Sequence, residues 1–429
     1  MDRVRAGLRG RVRALRTRNF RLFFIGQLIS NSGNWLTMVA LTLLVLHETG
    51  SGVAVGGLAA CQFGPILLLS PFAGLVADRS NKLRLLKTTQ IGEMAQSMVL
   101  AGLAFMHHPS LVALYVTAVA GGCLLAFDNP VRRSFVTEMV PEEDVANAVT
   151  LYSALVNSSR ILGPTLAGAL VITAGFGWCF TLDAASYVAV LVALWMMRTN
   201  ELRLAQVTPR GRGQVREGLR YVRSVPDLWL PFVMLAVVGT CSYNFTVVFP
   251  LFVEHTLHGN DASYTLVYSI FSVGALVGAF VVADRKTVSV HDIVVGATGF
   301  GVTMLILAAA PSVAVTLPIV AVLGFASIAF MTATTAIVQV RAHPQMHGRV
   351  LALQTVLLIG TTPIGGPIMG AVADAAGARI PLVIGGASAL LAALFGAIAG
   401  RTVATERRPA PAPAVPSGAV EDAPEVALG

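Results

Sequence analysis

The chain has 429 residues, of which 55% are hydrophobic and only 12% are charged, and its formal net charge is +8. Soluble domains carry roughly 25% charged residues, so this composition excludes an ordinary soluble globular protein and indicates a chain largely surrounded by lipid. The four cysteines lie far apart in apolar stretches, so neither a disulfide framework nor a metal site is indicated.

Runs of about 20 mostly apolar residues, the length that crosses a bilayer as a helix, recur along the chain. The first six lie at 20–46, 53–76, 85–106, 110–130, 146–173 and 179–197. Six more lie at 229–253, 264–283, 290–310, 313–339, 349–374 and 381–399. The first run is too long for the core of a signal peptide and is predicted to be retained. The sequence therefore predicts an all-α membrane protein with twelve transmembrane helices.

Polar segments separate these runs and predict the domain organisation. The predicted parts are a basic cytoplasmic N-terminus at 1–19, six-helix bundles at 20–198 and 229–400, a cytoplasmic linker at 199–228 and a disordered tail at 401–429. Within the linker, the segment from Gln214 to Arg223 predicts a short amphipathic helix on the membrane surface. The tail is rich in Pro and Ala, a composition that does not support a packed core.

Basic residues are distributed unequally between the two sets of connecting segments. If the N-terminus is cytoplasmic, 28 of the 30 Lys and Arg residues lie on the cytoplasmic side. The exceptions are Arg379 in an outer loop and Arg160 inside a helix. Because cytoplasmic loops of membrane proteins are enriched in Lys and Arg, the pattern predicts an inner-membrane protein with both termini in the cytoplasm.

The two halves of the chain share short motifs at a nearly constant offset. A shift of 203 residues places Pro141 on Pro344, and it places Gly163-Pro164 on Gly366-Pro367. Matches in the same order predict a six-helix unit used twice. Two such bundles joined by a linker predict a substrate site between them, near the middle of the bilayer.

The connection between the second and third spans combines a small residue, a carboxylate and several basic residues: Gly74, Asp78, Arg79, Lys82 and Arg84. A small residue permits close helix approach, and the carboxylate can accept hydrogen bonds from a neighbouring helix end. The basic residues hold the loop at the cytoplasmic face. The alternative interpretation is a charged turn that only fixes orientation.

This connection resembles the signature of the major facilitator superfamily, G-x-L-A-D-R-x-G-R-K. Gly74, Asp78 and Arg79 match it, whereas Asn81 and Leu83 depart from it. The resemblance covers about residues 15–400. It implies two pseudo-symmetric six-helix bundles and a conformational-switch role for the connection.

A second set of motifs is similar to the branch of that superfamily containing the enterobactin exporter and the macrolide efflux proteins. The motifs are Phe127-Asp128-Asn-Pro130-Val-Arg132-Arg133, then Asn147-Ala148, then Arg160-Ile-Leu-Gly163-Pro164 with Gly168. This resemblance implies export of amphiphilic small molecules, driven by proton antiport.

Arg160 lies about midway along the fifth span. An arginine at the centre of a membrane helix costs about 2.5–3.5 kcal/mol on insertion scales, so it must face a cavity or a carboxylate. Asp128 is the favoured partner and proton-coupling candidate, and Glu93 is the alternative. The pair could also be purely structural.

Glycine and proline residues on the fifth and eleventh spans are candidates for gating, because they bend helices and allow close packing. They are Gly163, Pro164, Gly168, Gly366 and Pro367. Ordinary packing of small residues is the alternative interpretation.

Polar and aromatic residues within the spans are candidates for the substrate cavity, although each could instead only hold helices together. They are Asn31, Asn34, Trp35, Gln62, Asn157, Tyr243, Asn244, Tyr268, Thr332 and Gln354. Asn34 stands where relatives of the suggested branch often have an acid. Asp183 and Glu254 are predicted to lie near the outer face, with little functional weight.

Two other functions compete with export. An uptake symporter for a small polar solute would have the same fold, and a membrane sensor would transport nothing. No nucleotide-binding loop, His cluster or nucleophile motif supports an enzyme. The expected partners are a small-molecule substrate, protons and the lipid bilayer. No cofactor, metal or nucleic acid is indicated, and we expect a monomer.

Overall fold

A computed structural model describes residues 12–203, 214–283, 289–343, 346, 350, 353–354, 356–357 and 361–406, and these residues form helices and short connections without any strand. Ten helices in this part of the chain are long and apolar enough to cross a membrane. Of the two remaining predicted spans, Lys82–Ala104 forms a helix that carries several charges, and 349–374 is described only in part.

The N-terminal half consists of six long helices: α1 (Arg18–Thr49), α2 (Gly52–Arg79), α3 (Lys82–Ala104), α4 (Leu111–Glu138), α5 (Val145–Thr173) and α6 (Phe176–Trp195). Local signals define their ends. Gly50 adopts a left-handed conformation with φ of 59° and terminates α1. The side chain of Asn81 accepts a hydrogen bond from the backbone of Arg84 and caps α3.

The rest of the described chain contains α7 (Gln214–Ser224), α8 (Pro226–Cys241), α9 (Phe245–Leu251), α10 (Asp261–Ala283), α11 (Val290–Ala308), α12 (Val313–Arg341), α13 (Thr362–Ala376) and α14 (Arg379–Glu406). Helix α7 falls where the linker sequence predicts a short helix. Helix α14 continues to Glu406, beyond the predicted end of the bundle. The prediction of disorder from residue 401 is therefore wrong for residues 401–406, which are helical. The rest of the predicted tail, 407–429, lies outside the described part of the chain.

The predicted seventh span, 229–253, is interrupted. Helix α8 ends at Cys241, α9 begins at Phe245, and a π-helical turn follows at Phe252–Thr256. The side-chain amide of Asn244 donates to the carbonyl oxygen of Thr240 at 2.7 Å. This side chain takes the acceptor that a continuous helix would offer to the Asn244 backbone, which explains why an apolar run is broken here.

Helix α4 is longer than the predicted span of 110–130. Pro130 lies inside it, and the helix continues for two more turns to Glu138. A proline removes one backbone hydrogen bond and can kink a membrane helix without ending it. Arg132, which lies beyond the predicted span, is therefore a buried helical residue.

The same helix pairs pack together in both halves. Helix α2 contacts α4, and α10 contacts α12; α3 contacts α6, and α11 contacts α14. Helix α1 likewise contacts α6, as α8 contacts α14. The repeated pairing confirms two pseudo-symmetric bundles.

The two bundles meet mainly through α2 with α13 and through α5 with α10. Asp374 of α13 accepts hydrogen bonds from the Ser51 hydroxyl at 2.7 Å and the Gly52 backbone at 2.6 Å. His47 lies 3.0 Å from Asp261. These contacts lie at the ends of the helices that carry few basic residues, called the outer face below.

Candidate coupling and binding sites

Three ionisable side chains lie together between α3 and α4. Glu93 is 2% exposed, Asp128 is fully buried and Arg132 is 3% exposed. The guanidinium of Arg132 contacts the Asp128 carboxylate, one helical turn away, and lies 3.7 Å from Glu93 Oε2. We call these three residues the charged triad.

Neutral side chains of α3 hold the two carboxylates of the charged triad. Thr89 donates to Asp128 Oδ1 at 2.8 Å, and the Gln90 amide donates to the same oxygen at 3.0 Å. Gln90 also donates to Glu93 Oε2 at 2.9 Å. Asp128 thus accepts two hydrogen bonds from α3 and contacts Arg132, whereas Glu93 accepts one from Gln90 and lies farther from the guanidinium.

Asp183 on α6 is a further buried carboxylate. It is 1% exposed, and it accepts hydrogen bonds from Thr37 of α1 and Ser97 of α3, both at 2.7 Å. The expectation that Asp183 lies near a hydrated outer face is wrong, because three helices enclose it. Its position as an acid inside a predicted span was the available signal.

A small cavity of about 70 Å³ lies within the N-terminal half. Its lining includes the two acids Glu93 and Asp183, and the amides Asn34, Gln62 and Gln96. A water molecule needs roughly 10–15 Å³ of such space. The cavity therefore has room for a few water molecules beside two buried carboxylates.

The prediction that Arg160 pairs with Asp128 is wrong. Arg132 occupies the position beside Asp128, because α4 continues past Pro130 and places residue 132 on the same helical face. Arg160 instead lies over the ring of Trp35, with 5.1 Å between the guanidinium carbon and the ring centroid.

The glycines of α5 allow two close helix contacts. A β-carbon at Gly163 would collide with that of Trp35 on α1, and one at Gly168 would collide with Thr265 on α10. At Gly366 a β-carbon would lie 3.3 Å from that of Ala59, whereas at Gly56 it would lie 2.6 Å from the Gly366 carbonyl oxygen. Across α2 and α13, the glycines without space for a β-carbon thus include Gly56, Gly52 and Gly370.

The predicted cavity residues separate into two groups. Asn34 and Gln62 line the cavity with Glu93, and Trp35 contacts Arg160 and Tyr268. Four others donate hydrogen bonds within the protein. Asn157 and Asn244 donate to the residue four positions earlier, whereas Tyr243 donates to Ser327 and Gln354 to Thr335, farther along the chain. For Thr332, the structure identifies no contact that favours either role.

The loop motif is described in part. Lys82 contacts Glu138 at 2.5 Å, which joins α3 to α4 within the N-terminal half, and Arg84 is exposed. Gly74 lies in α2. The side chains of Asp78 and Arg79 lie outside the described part of the structure.

Two like bundles of membrane-spanning helices, with charged groups buried inside one of them, define a secondary transporter with the major facilitator fold. Residues 10–420 match the family described as transmembrane secretion effector. The chain belongs to this family, and the resemblance found in its motifs is confirmed.

Relatives with assigned roles support this placement. The multidrug efflux pump Tap of Mycolicibacterium fortuitum is 26% identical over 83% of this chain and 89% of its own length. Macrolide efflux protein A of Streptococcus pyogenes is 22% identical over 81% of this chain and 87% of its own.

Solved structures share the fold. A bacterial homologue of the human lysosomal transporter Spinster, in an inward-facing and unoccupied conformation, superposes with a TM-score of 0.72. The alignment covers 91% of this chain and 98% of that one, at 15% identity.

Proposed function

We propose that this protein is a proton-coupled exporter of amphiphilic small molecules that works by alternating access. The proposal rests on the buried carboxylates of the N-terminal half, which outnumber the cations that contact them. Glu93 and Asp128 share one guanidinium, and Asp183 is held by neutral hydroxyl groups. Buried charges without partners are costly, and protons are the simplest species that would remove this excess.

Glu93 is the better candidate for the exchanged proton. Asp128 already binds Arg132, Thr89 and Gln90. Glu93 lies farther from Arg132, and it lines the cavity. The structure therefore favours an order opposite to the one predicted from sequence, with Glu93 carrying the proton and Asp128 holding the guanidinium in place.

The contacts at the outer face support an alternating-access cycle. Asp374 of the C-terminal half caps the start of α2 in the N-terminal half, through its bonds to Ser51 and Gly52. The bundles are thus joined at the face that the charge pattern predicts to be external, as expected for an inward-open state. The motif Gly74, Asp78, Arg79, Lys82 and Arg84 is proposed to control the opposite, cytoplasmic side.

The proposed setting is the inner membrane, with both termini in the cytoplasm, and the proposed unit is a monomer without cofactors. The names of the relatives, a multidrug pump and a macrolide efflux protein, favour drug-like amphiphiles as substrates. Orientation is testable by replacing Gly259 with cysteine. Labelling of intact cells with an impermeant reagent supports this topology, and labelling only after lysis contradicts it.

Efflux of a mixed compound panel from cells with and without the protein tests the function itself. We expect lower accumulation of some compounds in expressing cells, and loss of that difference when an uncoupler collapses the proton gradient. Higher accumulation of a compound would indicate uptake instead. Efflux that persists unchanged with the uncoupler would contradict proton coupling.

A further inference from the structure

Arg160 is a membrane-embedded cation without a carboxylate partner among the described residues. Its Nε atom is buried and has no hydrogen-bond acceptor there. Its guanidinium lies over Trp35, and this contact leaves the N–H groups in the guanidinium plane available to a ligand.

A second buried N–H donor without an acceptor lies at the same depth in the membrane as Arg160. Gly163 packs against the backbone of Ser32 and Leu36, and α1 and α5 both begin at the inner face. Arg160 precedes Gly163 by three residues and is therefore level with Asn31. The Asn31 Nδ2 atom is buried without a hydrogen-bond partner in the described part of the chain.

These groups lie where the two halves meet. Trp35 of α1 approaches Tyr268 of α10, with 6.4 Å between the ring centroids. The acidic cavity lies on a different face of α1, where Asn34, Thr37 and Met38 contribute to its lining. Helix α1 thus has carboxylates on one side and an unpaired guanidinium on the other.

We infer that Arg160, Asn31 and Trp35 form a subsite for a substrate bearing a carboxylate or similar anionic group next to an aromatic body. Arg160 would bind two oxygens of the anion through its planar fork, and Asn31 would donate a further hydrogen bond. Trp35 and Tyr268 supply aromatic surface for the body of the ligand. The inference rests on the proposed function, because it treats the ligand as the transported substrate.

A matched pair of dyes tests this subsite directly. Rhodamine 110 is a free acid and rhodamine 123 is its methyl ester, so the two share one aromatic body and differ at the carboxylate. We expect full-length protein in lipid nanodiscs to bind the acid at least about tenfold more tightly than the ester, by fluorescence anisotropy, because charge-assisted hydrogen bonds are strong.

Arg160→Gln should abolish that preference by weakening binding of the acid and not of the ester. Arg160→Lys should retain part of the preference, because lysine keeps the charge but not the planar arrangement of donors. If Arg160→Gln fails to fold, the lysine variant tests the subsite on its own. Arg21→Gln, at an exposed position on α1, is the control and should match the wild type.

Equal binding of the two dyes by the wild type, binding of neither, or an acid preference that survives in Arg160→Gln would overturn the subsite. These measurements need no proton gradient. If the acid preference depends on Arg160 but efflux does not respond to an uncoupler, proton coupling is contradicted and the subsite remains.

Discussion

The two halves share their helix pairing but differ in the charges that they place inside the membrane. In the N-terminal half, Glu93, Asp128, Arg132, Arg160 and Asp183 lie well inside spans. In the described part of the C-terminal half, Asp, Glu, Lys and Arg lie toward span ends, as at Asp261, Arg341 and Asp374. A duplicated fold therefore does not imply duplicated chemistry, and ion coupling is expected in one half.

The N-terminal half has charged side chains in its interior, whereas the C-terminal half has a cluster of aromatic side chains there. Phe245 lies 4.6 Å from Phe271 and 4.9 Å from Phe249, measured between ring centroids. Tyr243 packs against Phe300 at 5.3 Å. Such a cluster offers a substrate apolar area and no exchangeable charge. This contrast suggests that one half senses protons while the other mainly supplies packing surface.

The largest expected effect comes from removing the guanidinium of the charged triad. Arg132→Gln leaves Asp128 and Glu93 buried near each other without a cation, and breaking buried pairs costs about 3–5 kcal/mol. We expect a large fall in thermal stability in nanodiscs near neutral pH. Adding Asp128→Asn should restore much of the stability.

Arg133→Gln is the matched control, because the neighbouring arginine is exposed. It should change stability little. If Arg132→Gln and Arg133→Gln unfold at the same temperature, the triad does not hold α3 and α4 together.

A smaller effect should distinguish the corresponding glycines of the two halves. Gly163→Ala forces a β-carbon against Trp35, whereas Gly366→Ala leaves 3.3 Å to Ala59. Overpacking typically costs about 1–3 kcal/mol, so Gly163→Ala should lower thermal stability clearly more than Gly366→Ala. Equal losses would show that the two contacts are equally tight.

The smallest effect concerns the contact that joins the halves. Asp374→Ala removes the carboxylate that caps α2, and losing a helix cap costs about 0.5–2 kcal/mol. The outer face should open more often, and the protein should remain folded. Spin labels at positions 107 and 311, introduced after replacing the native cysteines, should show a larger population at long distances. An unchanged distance distribution would mean that Asp374 does not stabilise the closed outer face.

The sequence predicted best the features that depend on many residues along the chain. Apolar length predicted the helical membrane fold, and the motifs Gly74 to Arg79 and Asp128 to Gly168 identified the superfamily. The charge pattern also predicts an orientation, which the labelling at Gly259 is designed to check.

Side-chain partners inside the bundles were less predictable. The partner of Asp128 was missed because the predicted span 110–130 stops short of Arg132, although a membrane helix can continue through proline. Asp183 was misplaced because its hydrogen-bond donors, Thr37 and Ser97, come from distant parts of the chain. The break near Asn244 depends on a single side-chain hydrogen bond that an apolar run conceals.

Proton movement during substrate transport tests the central claim most directly. Purified protein in proteoliposomes is given a gradient of a compound effluxed in cells, and internal pH is followed with a trapped indicator. The wild type should move protons opposite to the substrate, whereas Glu93→Gln should still carry substrate down its gradient without moving protons. Proton counterflow by Glu93→Gln at the wild-type ratio to substrate would contradict the assignment of coupling to Glu93.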